Sequence, residues 1–329
     1  MTKVANFVDN TKSKYKDICM SKSVAPLDTL AQLSNNNITP LINSDLEKLK
    51  KRAKAKFISD KITLKLADLQ PTKKTKQTFY NTYHCSRLLI QEGKKITSRY
   101  CNNRWCIVCN RIRAAKLIAG YSLPLSTLKN PYMVTLTIPN KKSDILKAEV
   151  DSMFTALNKI RKSLHYRKTK VVGIRKFEIT YNFIRDDYHP HFHLIVEGKQ
   201  VANDIVNEWL LRYPDANIKG QDVRKADTNS MAELFKYFTK MFSKQGVNIK
   251  ALDVMIKALK DRRIVQPMGI KKEVSEDVDE LETLVYNELE ENVNVWEYFE
   301  NDWYSYETGE QLTGFEPSET LIELSKKIY

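Results

Sequence analysis

Alternating apolar and polar positions predict three β-strands in the middle of the chain. Residues 132–139 (YMVTLTIP) are rich in β-branched and apolar side chains, and residues 173–181 and 189–196 alternate strictly. Apolar residues recur at helical spacing in 151–163 and 231–243. The middle of the chain therefore mixes strands with amphipathic helices.

The alternation places chemically useful side chains on the polar faces of two strands. His191 and His193 share one face of the third strand, ~7 Å apart, and Glu178 lies on the polar face of the second. A turn near 185–187 allows the two strands to form a hairpin, which makes Glu178 the best third ligand for one divalent metal. His189 is a further candidate ligand. Such a set suits a non-haem iron oxygenase or a metal-assisted phosphodiester reaction.

The helix predicted at 231–243 carries a polar stripe beside its apolar one. Ser230 and Glu233 have the spacing of an N-terminal capping box. Glu233, Tyr237 and Lys240 recur on one side of the helix. A phenol beside a metal-bound phosphate can attack phosphorus, and Lys240 could stabilise the developing charge. Taken alone, the stripe equally fits a surface helix with a half-buried tyrosine.

Charge is unevenly distributed along the 329 residues. The net charge is +14, but 273–329 contains 17 acidic and two basic residues, so that 1–272 carries +29. A basic surplus of this size indicates a nucleic-acid partner. The helix predicted at 46–58 has six basic residues, on either a solvated face or a surface that contacts DNA. Candidate phosphate contacts flank a cysteine cluster, namely Arg104, Arg111 and Arg113.

Four of the five cysteines follow the spacing Cys85-x15-Cys101-x4-Cys106-x2-Cys109. A Cys-x2-Cys knuckle with two nearby thiols favours a structural Zn²⁺ site, in which His84 could replace Cys85. The alternative is four reduced cysteines that pack as small apolar residues.

Composition divides the chain into four expected regions: a basic region 1–75, a zinc-binding module 76–125, a catalytic domain 126–272 and an acidic region 273–329. No glycine-rich phosphate loop occurs, so no nucleotide cofactor is expected. No run is apolar enough for a membrane helix or a secretory signal, and we expect a cytoplasmic protein without a membrane partner.

The motifs together resemble the HUH endonuclease superfamily, and more narrowly the single-tyrosine initiators of plasmid rolling-circle replication. The first family motif corresponds to Thr135-Leu136-Thr137, and the histidine motif to His191-Phe192-His193. The tyrosine motif corresponds to Leu234–Lys240 with Tyr237 as the nucleophile. A cysteine region precedes the nuclease core in many of these initiators, and the resemblance covers roughly 80–272.

The resemblance implies an α+β fold, with a five-stranded antiparallel sheet flanked by helices and a four-cysteine zinc module upstream. It implies that Mg²⁺ or Mn²⁺, bound by Glu178, His191 and His193, assists nicking of single-stranded or hairpin origin DNA. Tyr237 would stay linked to the 5′ phosphate, and the released 3′ hydroxyl would prime synthesis. A host helicase and a DNA polymerase would be the protein partners. Glu233 is either the base that activates water at termination or a helix cap.

Other interpretations remain open. An HUH-type transposase or relaxase shares the motifs, and a non-catalytic DNA-binding zinc protein is the alternative from another class. The acidic region could fold back over a basic groove as an autoinhibitor anchored by Trp296 and Trp303, recruit a host protein, or pack structurally on the body.

Overall fold

The computed structural model describes residues 43–93, 95–235, 245–273 and 293–329. The helices within these ranges are α1 Asn43–Asp68, α2 Lys73–Tyr83, α3 Ile107–Ser126, α4 Leu146–Tyr166, α5 Lys199–Arg212, α6 Thr228–Phe235, α7 Ile249–Ala258 and α8 Glu319–Lys326. The strands are β1 Leu88–Glu92, β2 Lys95–Ser98, β3 Pro131–Thr137, β4 Gly173–Asn182, β5 Asp187–Glu197, β6 Asp222–Lys225, β7 Val265–Met268, β8 Asn294–Phe299 and β9 Asp302–Ser305. None of these helices is both long and apolar enough to cross a membrane.

The chain forms two compact units, each assembled from separate stretches of sequence. The described part of unit 1 comprises 43–67, 72–109 without Lys94, and 293–322; that of unit 2 comprises 68–71, 110–235, 245–273 and 323–329. Residues 293–322 of the acidic region thus belong to the same unit as the four clustered cysteines, whereas 323–329 belong to unit 2. The four regions drawn from composition stay a prediction about domains.

Unit 2 is built on a five-stranded antiparallel sheet in the order β6-β3-β5-β4-β7. The three strands predicted from alternation appear as β3, β4 and β5, and β5 is the central strand. With helices against this sheet, the α+β class and the five-stranded antiparallel architecture predicted from sequence are confirmed.

One face of this sheet is covered by the amphipathic helix predicted at 151–163, which lies within α4. The Phe154 ring packs against Phe177 of β4 and Phe192 of β5, with ring centroids 4.9 and 5.2 Å apart. Trp209 of α5 is fully buried and contacts Phe192 edge-on. Burial of these aromatic side chains commits the odd-numbered positions of β4 to this face, so the even-numbered ones, Glu178 included, face the other way.

Helix α6 begins earlier than the sequence predicts, and the capping box assigned to Ser230 and Glu233 is wrong. The Ser230 amide donates to Asp227 Oδ1 at 2.8 Å, and the Asp227 amide donates to Ser230 Oγ at 3.2 Å. The reciprocal pair is therefore Asp227 with Ser230, which starts the helix at Thr228. The predicted continuation of this helix from residue 236 to 243 lies outside the described residues.

Unit 1 contains a four-stranded antiparallel sheet in the order β2-β1-β8-β9. Strand β1 pairs with β8 from the acidic region, with Leu89 opposite Trp296. One side of α1 covers the core of this unit, whose members include Leu49, Ala53, Phe57, Leu89, Trp296, Tyr298, Trp303 and Phe315.

The two tryptophans expected to anchor an autoinhibitory tail are core residues of unit 1. Trp303 is fully buried and its Nε1 donates to the Ser86 carbonyl at 3.0 Å. Trp296 is 4% exposed, and its Nε1 donates to Gln91 at 3.3 Å. Of the three alternatives for the acidic region, residues 293–322 therefore follow structural packing. Residues 274–292 lie outside the described part of the chain.

Helix α1 presents most of its basic residues to solvent, but one expectation fails. Lys50, Lys51 and Lys54 are exposed, whereas Lys56 is fully buried. Its Nζ donates to Asp60 at 2.7 Å and to the Tyr83 carbonyl, so Lys56 belongs neither to a solvated face nor to a DNA-binding one. A buried ammonium needs such partners, because an unpaired one would be strongly destabilising.

We predict that Trp303→Ala lowers the free energy of unfolding of unit 1 by about 3–5 kcal/mol, since it leaves a large cavity and an unpaired carbonyl. Thermal and denaturant unfolding followed by circular dichroism measure this. Tyr166→Ala, at a position 84% exposed, is the control and should change stability little. A loss below about 1 kcal/mol for Trp303→Ala would contradict the core placement.

Candidate active site

The register of three strands brings the predicted ligands together. In the β4–β5 hairpin, Glu178 lies directly opposite His191, and Lys176 opposite His193. On the other side of β5, Thr135 of β3 lies opposite His193. Because directly opposed residues in antiparallel strands project to the same face, all these side chains meet on one side of the sheet.

The Glu178 carboxylate lies at the centre of this group. Its Oε2 is 3.9 Å from His191 Nε2 and 4.0 Å from His193 Nε2. The three candidate ligand atoms lie within 4.8 Å of one another, and all three residues are buried. A divalent cation between them would need only small side-chain movements to reach bonding distances of ~2.0–2.2 Å.

The second nitrogen of each imidazole is held by a hydrogen bond. His191 Nδ1 is 3.1 Å from the His189 carbonyl oxygen, which can only accept, so Nδ1 carries the proton and Nε2 is left as a ligand atom. His193 Nδ1 is 3.2 Å from Thr135 Oγ1. These contacts orient both Nε2 atoms toward Glu178, as outer hydrogen bonds do at metal sites.

Lys176 is a neighbour whose role the sequence did not reveal. Its side chain is fully buried, and Nζ donates to Glu178 Oε2 at 3.1 Å. The pattern already placed Lys176 two residues before Glu178 on the same face. The side-chain geometry adds that the ammonium reaches the carboxylate and balances its charge.

His189 is not brought into the ligand group. Its Nδ1 lies 3.0 Å from Asn140 Oδ1, and its ring stacks on that of His191 with centroids 5.2 Å apart. Burial and the nearby His191 lower the pKa of His189, which favours a neutral ring. Among the described residues, the candidate metal group is Glu178, His191 and His193.

Helix α6 lies on the face of the sheet that carries this group. Leu234 and Phe235 pack with Met133, Ile174 and Ile195, of which Ile195 is two residues beyond His193 on the same side of β5. Glu233, on the same helix, is 39% exposed in its side chain and forms an ion pair with Arg224 at 2.9 Å. Tyr237 and Lys240 lie outside the described residues.

Tyr181 is not suited to act as a nucleophile beside the ligands. It lies on the opposite face of β4 from Glu178, and its hydroxyl donates to Asp186 at 2.7 Å. Burial and the Asp186 carboxylate raise the pKa of Tyr181 to about 12.

The four predicted cysteines converge in unit 1. Cys85 follows α2, Cys101 follows β2, and Cys106 and Cys109 lie at the start of α3. Cys109 Sγ is 3.4 Å from Cys85 Sγ and 3.7 Å from Cys101 Sγ, and all four sulfurs lie within 4.8 Å of one another. His84 is not part of the group.

The cysteines are reduced, and backbone amides point at their sulfurs. The amides of Cys101, Asn103 and Cys109 donate to Cys85, Cys101 and Cys106, each at 3.4 Å. Hydrogen bonds from the neighbouring thiols, Cys106 foremost, lower the pKa of Cys101. Four convergent thiols with amide donors fit a tetrahedral Zn²⁺ better than apolar packing, because the amides stabilise thiolate charge.

The arginines proposed as phosphate contacts, Arg104, Arg111 and Arg113, are all partly exposed. Arg111 and Arg113 are two residues apart on α3, so they project from different sides of the helix. Arg113 also donates to Asn110 at 3.0 Å. Arg104 belongs to unit 1, whereas the other two belong to unit 2.

Comparison with known proteins places these features in a family. The family model described as "Replication protein" matches residues 93–201, which include Glu178, His191, His193 and three of the four clustered cysteines. A "Protein rep" from Staphylococcus aureus is 31% identical over 166 residues, covering 45% of this chain and 72% of that protein. This chain belongs to the Rep family of replication proteins.

Two further Rep relatives support the assignment. A "Protein rep" from a Bacillus species is 26% identical over 230 residues, covering 56% of this chain and 73% of the relative. Another from Bacillus amyloliquefaciens is 32% identical over 115 residues, covering 32% of this chain and 33% of the relative. No solved structure matches this Rep chain significantly. The match confirms the family expected from the sequence motifs.

We predict that Mn²⁺ binds to the Glu178 group of this Rep protein and that His193→Ala weakens binding at least tenfold, because one of three ligands is lost. Isothermal titration with Mn²⁺ measures this on zinc-loaded protein. His165→Ala, which removes a histidine of α4, is the control and should bind as the unmodified protein does. Unchanged affinity of His193→Ala would show that the ligand set is wrong.

We predict one tightly bound Zn²⁺ per chain, held by the four clustered cysteines. Elemental analysis of freshly purified, reduced protein measures the ratio, and Cys106→Ser should reduce it and destabilise unit 1. Cys19→Ser, which changes the one cysteine that is distant in sequence from the other four, is the matched control and should retain one zinc. Protein that contains no zinc but stays folded would rule out the site.

Proposed function

We propose that this Rep protein initiates plasmid replication by nicking one strand of origin DNA and by remaining attached to it through Tyr237. The observation that carries the proposal is the buried group of Glu178, His191 and His193 on the sheet face against which α6 packs. Tyr237 is two positions beyond Phe235 in the sequence, and the family match supports a role in replication.

In the proposed nicking reaction, one set of residues holds the metal and Tyr237 forms the new bond to phosphorus. The carboxylate of Glu178 and the two Nε2 atoms would hold Mg²⁺ or Mn²⁺, which would polarise the scissile phosphate when bound. The Tyr237 oxygen would form a new bond to phosphorus as the bond to the 3′ oxygen breaks. The products are a 5′-phosphotyrosine and a free 3′ hydroxyl that primes synthesis, so the number of phosphoester bonds is conserved.

The nucleophile needs assistance, because a phenol with a pKa near 10 is mostly protonated at neutral pH. Lys240 is the proposed source of positive charge near the phenolate or the phosphoryl oxygens. For Glu233 we propose the role of base that activates water at termination. Glu233 precedes Tyr237 by four residues in the sequence. A role as helix cap does not explain Glu233, because Asp227 and Ser230 form the cap.

Electrostatics support DNA as the partner, and the form we propose is single-stranded or hairpin origin DNA. Residues 1–272 carry a net charge of +29, and basic residues on the solvent side of α1 include Lys50, Lys51 and Lys54. Phosphate contacts of this kind make affinity fall steeply with salt. A host helicase and a DNA polymerase are the further partners we propose, since a nicked origin must be unwound and extended.

We predict that Tyr237→Phe abolishes the covalent adduct with single-stranded DNA, because it removes the attacking oxygen, while DNA affinity changes less than about threefold. Denaturing gel electrophoresis with Mn²⁺ detects the adduct, and fluorescence anisotropy measures affinity. The control is Tyr213→Phe, which removes a phenol that contacts Ser152 on the other side of the sheet. A denaturant-resistant adduct of the Tyr237→Phe protein would overturn the proposal.

A further inference from the structure

A polar pocket lies at the end of the β4–β5 hairpin and belongs to none of the roles assigned so far. Its volume is about 370 Å³, within the ~300–1,000 Å³ typical of ligand pockets. It is lined by Asn140, Thr180, Tyr181, Asn182, Arg185 and His189. All six residues belong to unit 2.

The pocket continues the candidate metal site along the same two strands. Thr180 lies opposite His189 just as Glu178 lies opposite His191, one pleat repeat or ~7 Å away. The ring of His189 stacks on that of His191, so the wall of the pocket is in contact with a metal ligand. A DNA strand whose phosphate lies at the metal site would therefore place an adjacent nucleotide over the pocket.

The walls of the pocket are held in place before any ligand binds. Asn140 bridges His189 and Asp187, at 3.0 and 2.7 Å. Asn182 Oδ1 accepts from the amides of Ile184 and Arg185, each at 3.0 Å, which fixes the turn. A site arranged in this way loses little entropy on binding.

The charges around the pocket cancel. Arg185 Nε pairs with Asp187 at 3.1 Å. Asp186 accepts from the Tyr181 hydroxyl, and Lys142 Nζ is bound to the Arg185 and Asp186 carbonyls. Arg185 is the one Lys, Arg, Asp or Glu residue in the lining, and Asp187 pairs with it, so the pocket offers little net charge to a phosphate, whereas the flat His189 ring and the polar groups suit a neutral base.

We propose that this pocket binds one nucleobase next to the cleaved phosphate and thereby contributes to the choice of cleavage site. The Arg185 guanidinium, the Thr180 hydroxyl and the Asn182 amide are hydrogen-bond donors, so a base with an acceptor-rich edge fits best, as guanine has in N7 and O6. This inference rests on the proposed nicking activity, which supplies the cleaved phosphate.

The first test uses a random single-stranded DNA library with fixed ends, incubated with the full-length protein and Mn²⁺. Sequencing of both the protein-attached and the released fragments gives the base preference on each side of the cut. Arg185→Gln and Thr180→Val should reduce the preference at one flanking position by about tenfold and leave the other positions unchanged. Arg167→Gln, an exposed arginine that pairs with Glu208, is the matched control.

The outcomes separate the pocket from the proposed function. If the unmodified protein forms adducts but Arg185→Gln and Thr180→Val keep the full base preference, the pocket proposal is wrong and nicking stands. If no adduct forms with any sequence, the nicking proposal fails. A second measurement then decides about the pocket.

That second measurement needs no cleavage. An abasic-site scan of a single-stranded oligonucleotide, bound to the Tyr237→Phe protein and followed by anisotropy, should find one position at which loss of the base weakens binding. When Arg185→Gln is added to the Tyr237→Phe protein, this dependence on one base should disappear. The affinity of the two proteins for a fully abasic oligonucleotide should be the same. Equal base dependence in both proteins would overturn the proposal.

Discussion

The pairing of β4 with β5 is the constraint on which the candidate active site depends. It sets Glu178 opposite His191 and brings the carboxylate within 4.0 Å of both Nε2 atoms. Because side chains alternate along a strand, a shift by one residue would turn the ligands into the aromatic face and expose Phe177 to solvent. Burial of Phe177 and Phe192 against Phe154 therefore fixes the chemistry on the other side of the sheet.

Unit 1 depends on a different constraint, the pairing of β1 with β8 across about 200 residues of sequence. Strand β8 brings Trp296 into the core and pairs with β1. Strand β1 begins three residues after Cys85, one of the four clustered cysteines. A protein cut before residue 293 would lose β8 and β9 with their core side chains. Deleting the acidic region would thus change folding as well as charge.

Local patterns in the sequence were sufficient for the three central strands of the unit 2 sheet and for both candidate metal groups, whereas the five-stranded architecture was expected only from the family resemblance. Strand alternation placed Glu178, His191 and His193 on one face, and cysteine spacing indicated the second group. Sequence could not predict which acceptor caps α6, because Asp227 and Ser230 both suit an N-cap.

Long-range pairing was invisible to these patterns. The acidic region was interpreted as a tail because its charged residues dominate its composition. Trp296 and Trp303 nevertheless belong to a core that also contains residues of α1 and β1, which are distant in sequence. Lys56 was misassigned in part for the same reason, since one of its partners, the Tyr83 carbonyl, lies 27 residues away, although the other, Asp60, is only four residues along the same helix.

Lys176 shows how the site is matched to its proposed substrate. Its ammonium cancels the Glu178 carboxylate within the buried group, and the two imidazoles must be neutral to act as ligands. Together, the side chains of Lys176, Glu178, His191 and His193 then contribute no net charge, so a bound divalent cation would bring two positive charges to this group. One phosphodiester and one phenolate bring two negative charges. A buried site favours such a neutral total, because uncompensated charge in a low-dielectric environment is strongly destabilising. On this electrostatic argument, phosphate and phenolate would gather at the site only with the metal bound, and the proposed DNA cleavage would then depend on metal occupancy.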